Sequence, residues 1–329
     1  MKLLKLDRKE GIIRGVIKSY DDLVVLSYVI TPGDRLTAYS RRKITIGKEH
    51  VIKTVKIGID AEKTELTPVG LSVSGKIFFS SDPDIPLHKY HTIYLKLKSG
   101  FSLSKSRILD FQASILRRSE QRSPKIFVCV YELGYAIFYR ITNYSVKRLY
   151  ELKENVQGKR FKNATKEKFF DKLEESIENE YKKTKWDVFI VAGKAMDNEE
   201  LKRGRLKDLD ISYETVSYAD TGLHELIAKD KINALLKDTK IGMQRRLIKE
   251  YLSAISAGSP DYVYGRAKIL EALGSKSPVE VLVTRDFVME NLDLMAKLES
   301  LGAEIQFFDE KDDSLDQLAG FGGILLKLA

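Results

Sequence analysis

Three consecutive cations, Arg41-Arg42-Lys43, stand between two β-type runs at 35–39 and 44–46. Cations on a hairpin tip can contact phosphates and release their counterions. Tyr39 sits two positions upstream, where its ring can stack on a base. The same charges would also suit a solvated turn that discourages edge pairing. A second basic cluster, Gly158-Lys159-Arg160-Phe161-Lys162, follows a long β run and is open to the same two readings, RNA contact or a plain exposed loop.

Acidic chemistry is thinner. Asp21-Asp22 is a carboxylate pair inside the basic first third. Metal-dependent RNA cleavage needs carboxylates converging on one or two divalent ions. Adjacent helical residues diverge by about 100°, so the pair alone is not a metal site. Its alternative role is negative charge at the positive end of a helix. Asp21 and Asp22 therefore stand as catalytic candidates only if Asp7, Glu10 or Asp60 join them in space. His88 and His91 lack a third ligand in sequence, and no metal ligand set is assigned. Cys129, the single cysteine, reads as a small buried hydrophobe in a reducing compartment. No Gly-x-x-x-x-Gly-Lys-Ser/Thr motif occurs, so any nucleotide hydrolysis must come from a partner.

The elements that must position these residues follow from pattern and punctuation. With 329 residues and 43% hydrophobic content, the chain can bury two or three cores. No run of about 18 apolar residues predicts a membrane span, and the first ten residues lack the apolar core of a secretory signal, so a cytoplasmic location is expected. The first domain, 1–122, is mostly β, with strands expected at 12–17, 35–39, 50–59, 69–79 and 91–97, and a helix at 21–30 capped by Ser19 or Asp21. That is a small-barrel pattern. The second domain, 123–219, opens on a hairpin over 125–141, then a helix at 165–181, a buried strand at 187–192 and a helix near 198–209, an α/β layering. The third, 220–329, alternates helix and strand. It starts with an amphipathic helix at 222–236, whose stripe is Leu223, Leu226, Ile227 and Leu235. It has a buried parallel strand at 279–284, and Gly320, Gly322 and Gly323 precede a last strand. Charge is segregated. Residues 1–123 carry 23 Lys and Arg against 13 Asp and Glu, while 220–329 carry 14 against 18. A basic module joined to an acidic one points to a polyanion at one end and another partner at the other.

Several stretches in order carry a family resemblance. They are S-Y-A-D-T-G-L-H-E-L-I-A-K-D-K-I-N-A-L-L at 217–236, V-Y-G-R-A-K-I-L-E-A-L at 263–273, V-E-V-L-V-T at 279–284 and L-A-G-F-G-G-I-L-L-K-L at 318–328. S-Y-D-D-L-V-V-L-S at 19–27, S-R-R-K at 40–43, L-S-V-S-G-K-I at 71–77 and H-K-Y-H-T-I-Y-L at 88–95 extend it to the first domain. The chain resembles the Pelota family, proteins that look like peptide release factors without the hydrolytic residues. The resemblance implies a multi-domain α+β and α/β chain: an Sm-like small β-barrel, then two α/β domains like release-factor middle and C-terminal domains. It implies RNA contact through Tyr39, Arg41, Arg42, Lys43, Lys159 and Arg160. It also implies recognition of stalled ribosomes, ribosome rescue and mRNA surveillance. Its expected partners are the ribosome, a translational GTPase of the elongation-factor alpha type and the recycling ATPase, with the chain itself a monomer. Some members are described as metal-dependent endoribonucleases, so an alternative is cleavage of stalled message through the first domain with a divalent cation. Two departures matter. No Gly-Gly-Gln occurs, the one Gly-Gly pair being followed by Ile324, so peptide release is not expected. The family's glycine-rich turn after Val191-Ala192-Gly193 is replaced by Lys194-Ala195-Met196.

Overall fold

A computed structural model describes residues 1–46, 49–67, 69–121, 123–142, 145–154, 162–228, 240–308 and 318–329. Contacts divide the chain into two units, one formed by Met1–Arg122 with Gln244–Ala329, the other by Ser123–Met243. None of the described helices is long and apolar enough to cross a membrane.

The first domain is an antiparallel Sm-like small barrel. Its strands are β1 (Lys2–Asp7), β2 (Ile12–Val16), β3 (Arg35–Ile46), β4 (Glu49–Thr67), β5 (Gly70–Ser80), β6 (Tyr90–Leu95) and β7 (Gly100–Ser104), in the order β1-β2-β7-β3-β4-β5-β6. Alternation sets the two faces. In β5, Leu71, Val73 and Ile77 are buried while Ser72, Ser74 and Lys76 face out. The sheet curls until His91 on β6 reaches Ser40 on β3, Nε2 to Oγ 2.9 Å. Helix α1 (Tyr20–Val29) is buried from Asp21 to Val29. Its run of Leu, Val and Tyr therefore carries no polar stripe: it is packed all round, against β4, β5 and the helix α2 (Asp110–Arg118).

The expected edges of β3 and β4 require correction. The basic triplet does not form a hairpin tip. β3 runs on to Ile46 and β4 begins at Glu49, with the pairing continuing as Arg41↔Thr54, Arg42↔Lys53 and Lys43↔Ile52. Ladder hydrogen bonds use backbone groups, so charged side chains did not end the strand.

The second unit holds β8 (Ile126–Glu132), β9 (Tyr135–Ile141), β10 (Val146–Lys153), β11 (Val188–Gly193) and β12 (Ser212–Thr215), in the order β10-β9-β8-β11-β12. β8 is antiparallel to β9 and parallel to β11. Helices α3 (Lys162–Lys183), α4 (Ala195–Arg203) and α5 (Ala219–Ala228) complete it. β8 is buried on both sides, which explains its unbroken apolar run. Phe127, Cys129 and Tyr131 meet Phe169, Leu173 and Ile177 of α3. Ile126, Val128 and Val130 meet Leu223 and Leu226 of α5. The expected boundary at 219/220 therefore differs from the packing: the first turns of the helix read as the start of the third domain close the middle sheet. The part of that helix beyond residue 228, with Leu235, lies outside the described residues, as does the side chain of Ile227. Strand β10 went unread because its pattern is mostly exposed.

The remaining strands are β13 (Tyr262–Tyr264), β14 (Pro278–Thr284), β15 (Glu304–Phe308) and β16 (Ile324–Leu328), in the order β13-β16-β14-β15. Helices α6 (Lys240–Ser256), α7 (Arg266–Ala272), α8 (Arg285–Glu290) and α9 (Leu292–Ser300) lie between them in sequence. β14 is parallel to β15, as its apolar run suggested, and antiparallel to β16. Two of the three glycines before β16, Gly322 and Gly323, have a backbone reason, a positive φ. Gly323 has φ +76°, and a Cβ there would stand 2.8 Å from the Thr284 hydroxyl.

Candidate nucleic-acid interface and the acids of the first helix

The candidate RNA residues lie in the β3–β4 ladder. Tyr39 is 69% exposed and pairs across the ladder with Lys56, which is also exposed. Arg41 is exposed two residues further along the same face. Ser40, between them, is turned inward and buried. The structure thus brings Tyr39, Arg41 and Lys56 to one outer surface. The side chains of Arg42 and Lys43, and the whole of Lys159 and Arg160, lie outside the described residues. Lys53 is engaged by Asp82, Nζ to Oδ2 3.2 Å. Asp82 is held below the usual carboxylate range, chiefly by the Asp84 amide and then by Lys53.

The Asp21-Asp22 pair is buried at the start of α1. Asp22 is 2% exposed, and its two oxygens accept four hydrogen bonds. The Met1 ammonium donates at 2.8 Å and the Ser19 hydroxyl at 2.8 Å, both to Oδ1. The Lys18 and Ser19 amides donate at 2.6 and 3.0 Å to Oδ2. Its own amide donates to Ser19 Oγ at 3.3 Å, closing a capping box. The Met1 ammonium also donates to the Ser119 carbonyl, tying α1 to the end of α2.

This donor set does not fit a divalent cation. A hard cation needs several oxygens free to coordinate it, and Asp22 already meets an ammonium. The other acids are dispersed. Asp7 accepts the Lys9 and Glu10 amides and pairs with Lys5; the Glu10 amide is the main cause holding its carboxyl below the usual range. Asp60 pairs with Arg35 at 3.1 Å. His88 is exposed at φ +62°, whereas His91 is bonded to Ser40. Among the described residues, no three His, Cys, Asp or Glu side chains are grouped to hold a metal.

Sequence reading passed over three constellations. Lys105 is buried and donates to the Val29 carbonyl at 2.8 Å, to Thr31 Oγ1 at 3.0 Å and to Asp34 Oδ2. Burial pulls its ammonium below the ordinary lysine range, despite the facing carboxylate. Parity could have found it, since Phe101, Leu103 and Lys105 share the inward side of the β7 strand line. Arg285, at the start of α8, donates to the Ser27 carbonyl at 3.0 Å and the Thr64 carbonyl at 2.9 Å, fastening α1 and β4. Phe307 packs between Tyr28 and Phe111 beside it, ring centroids 5.1 and 4.8 Å away. No local sequence signal marks either residue. In the second unit, Tyr131 donates to Asn198 Oδ1 at 2.8 Å, and its ring lies over Gly193, where a Cβ would stand 2.3 Å from it. Asn198 donates in turn to the Glu214 carbonyl at 2.7 Å. The Val-Ala-Gly strand end thus has a packing role here, although the glycine-rich turn after it is absent.

Comparison with known proteins places this geometry. Residues 1–120 match the family profile described as the Pelota N-terminal domain. The pelota homolog of Thermococcus gammatolerans is 24% identical over 350 residues, with 98% of each chain covered. That of Pyrococcus horikoshii is 25% identical over 353 residues, with 99% of each covered. Among solved structures, the Thermoplasma acidophilum Pelota protein superposes with TM-score 0.76 at 18% identity, covering 100% of this chain and 99% of that one. Saccharomyces cerevisiae Dom34, a translation termination-like factor involved in RNA quality control pathways and interacting with Hbs1, gives 0.54 at 19% identity, covering 100% and 97%.

Proposed function

We propose that the chain belongs to the Pelota family and that it recognises stalled ribosomes, acting in ribosome rescue and mRNA surveillance without releasing the peptide. It enters a vacant decoding site with its basic first domain, where a release factor would read a stop codon. The observation that carries this reading is the whole-length correspondence to pelota homologs in a chain with no Gly-Gly-Gln. The first domain supplies the electrostatic attraction, with an excess of ten positive charges over residues 1–123. Tyr39 and Arg41 present a ring and a guanidinium to RNA from one face, and Arg42, Lys43, Lys159 and Arg160 add phosphate contacts. The acidic final third meets protein partners. A protein partner is in keeping with Dom34, which interacts with Hbs1, and the family resemblance supplies the classes, a translational GTPase and the recycling ATPase. The chain carries no nucleotide-binding loop of its own, so the energy of subunit splitting comes from those partners. The acids of the first domain do not favour the endoribonuclease alternative, because Asp22 is already filled by donors.

The test is binding to purified ribosomes stalled on a truncated message. Stoichiometric cosedimentation is expected when the decoding site is empty and loss of it when a cognate tRNA fills that site. Single-turnover assays should show no release of labelled peptide. Equal binding to vacant and occupied ribosomes, or peptide release by the chain alone, would refute the reading.

A further inference from the structure

We propose that the outer face of β5 and β6 is a base-stacking platform for single-stranded RNA, built on Tyr90 and Tyr94 and flanked by Lys76. The proposal deepens the reading that the first domain meets RNA and rests on it. Along β6, Ile93 and Leu95 are fully buried, so the opposite parity of Tyr90, Thr92 and Tyr94 faces out. Tyr90 is 64% and Tyr94 62% exposed. Single exposed apolar residues are ordinary; two rings on one side of an end strand, in register with a cation, are a built surface.

The register gives that surface its composition. Lys76 lies opposite Tyr90, Ser74 opposite Thr92 and Ser72 opposite Tyr94. One strand further in, Asp60, Lys63 and Glu65 continue these rows. The Lys76 ammonium stands 5.7 Å from the Tyr90 ring centroid, placing a positive charge beside one stacking ring. Ser74 and Thr92 hydrogen-bond to each other at 2.8 Å, so the floor between the rings is low and polar. Asp60 is neutralised by Arg35, and the Arg35 guanidinium lies 5.0 Å over the Phe78 ring. Glu65 is the acid at the far end of the face, opposite Ser72.

Spacing decides how a strand would lie. Four residues of β-strand separate the rings, about 13 Å at ~3.3 Å per residue. That far exceeds the ~3.4 Å rise of stacked bases, so each tyrosine takes its own splayed base, and the backbone between crosses Ser74 and Thr92. Aromatic rings accept any base, which makes the platform tolerant of sequence. RNA is favoured over a protein occupant by the net positive charge of the domain and by continuity: Tyr39, Lys56 and Arg41 lie on the same outer face of β3 and β4.

The experiment measures fluorescence anisotropy of a labelled mixed-sequence RNA 10-mer with the full chain, alongside an abasic oligomer of the same length. Tyr90→Ala/Tyr94→Ala is expected to lose tenfold or more in affinity for the RNA, in keeping with the loss of two base stacks. It should bind the abasic oligomer like wild type. Tyr90→Phe/Tyr94→Phe, which keeps both rings, should match wild type on both. Arg41→Glu is run in parallel. If it weakens binding while the alanine pair does not, the first-domain RNA reading stands and the platform is refuted. If the wild-type chain binds no oligomer, both fall. Unchanged RNA affinity with altered sedimentation of the alanine pair would make the face a protein contact and overturn the proposal. Should the alanine pair fail to fold, a 4-thiouridine oligomer crosslinked to the wild-type chain decides instead. Crosslinks on the peptide spanning 90–94 support the platform, and crosslinks confined elsewhere refute it.

Discussion

Asp34 and Arg35 are adjacent in sequence, and each forms an ion pair, yet they lie on opposite sides of the barrel wall. Asp34 faces in, where it meets Lys105 and also accepts the Thr31 amide at 2.8 Å and the Thr31 hydroxyl at 3.0 Å. Arg35 faces out and pairs with Asp60 in solvent. The inner face treats charge as structure: Asp22, Asp34 and Lys105 are buried and their contacts are made within the fold. The outer face leaves Tyr39, Arg41, Lys56, Tyr90 and Tyr94 exposed. One residue of register thus separates a charge that holds the barrel from a charge that can meet a ligand.

The sharpest way to break this contrast is at its inner side. Lys105→Met should destabilise the chain by about 3–5 kcal/mol, because it leaves the Asp34 carboxylate buried without its cation. Lys105→Met/Asp34→Asn should recover much of that loss. Denaturant unfolding followed by far-UV circular dichroism measures both, and a near-neutral single variant would show that the inner charges hold nothing. Asp22→Ala comes next, at about 2–4 kcal/mol, for the lost cap and the buried ammonium left without its carboxylate.

The same acids allow a test of catalysis. Asp21→Asn/Asp22→Asn, purified in parallel with wild type, should leave any Mg²⁺- or Mn²⁺-stimulated RNA cleavage unchanged relative to the RNA bound. Abolished cleavage with intact binding would move the endoribonuclease reading ahead.

On the outer face the ranking reverses, with small effects on stability and large effects on binding. Arg41→Glu should change stability by no more than about 0.5 kcal/mol while weakening ribosome engagement. An early-melting variant would mean that Arg41 is structural. The gentlest probe is salt. Affinity for single-stranded RNA should fall with a log–log slope of roughly −0.7 per phosphate neutralised, and Arg41→Glu should flatten it. A salt-independent affinity would remove the electrostatic role of the outer face altogether.

Much was legible beforehand where signals are local. Ser19, one of the two caps expected for the first helix, is its N-cap, in a capping box with Asp22. The apolar run over 125–141 and its turn announced a hairpin, and β8 pairs with β9 as one. Other elements were not legible. The Arg41-Arg42-Lys43 triplet was read as a tip because charge resembles a turn signal, but strand length is settled by the pairing partner. The helix read at 222–236 was assigned to the final third, while Leu223 and Leu226 on its first turns find the middle sheet.

By itself the sequence determined the family resemblance, the order of β-rich and α/β parts, the segregation of positive charge and the lack of a peptide-releasing tripeptide, all of which are properties of composition and linear pattern. Tertiary structure alone decided what each charge does. Asp22 meets the Met1 ammonium 21 residues away, Lys105 meets Asp34 across 71, and Arg285 meets Ser27 across 258. A charged side chain becomes a brace when the fold surrounds it with partners and removes water, and a binding group when the fold leaves it wet. That choice rests on long-range pairing and register, which no short stretch of sequence contains.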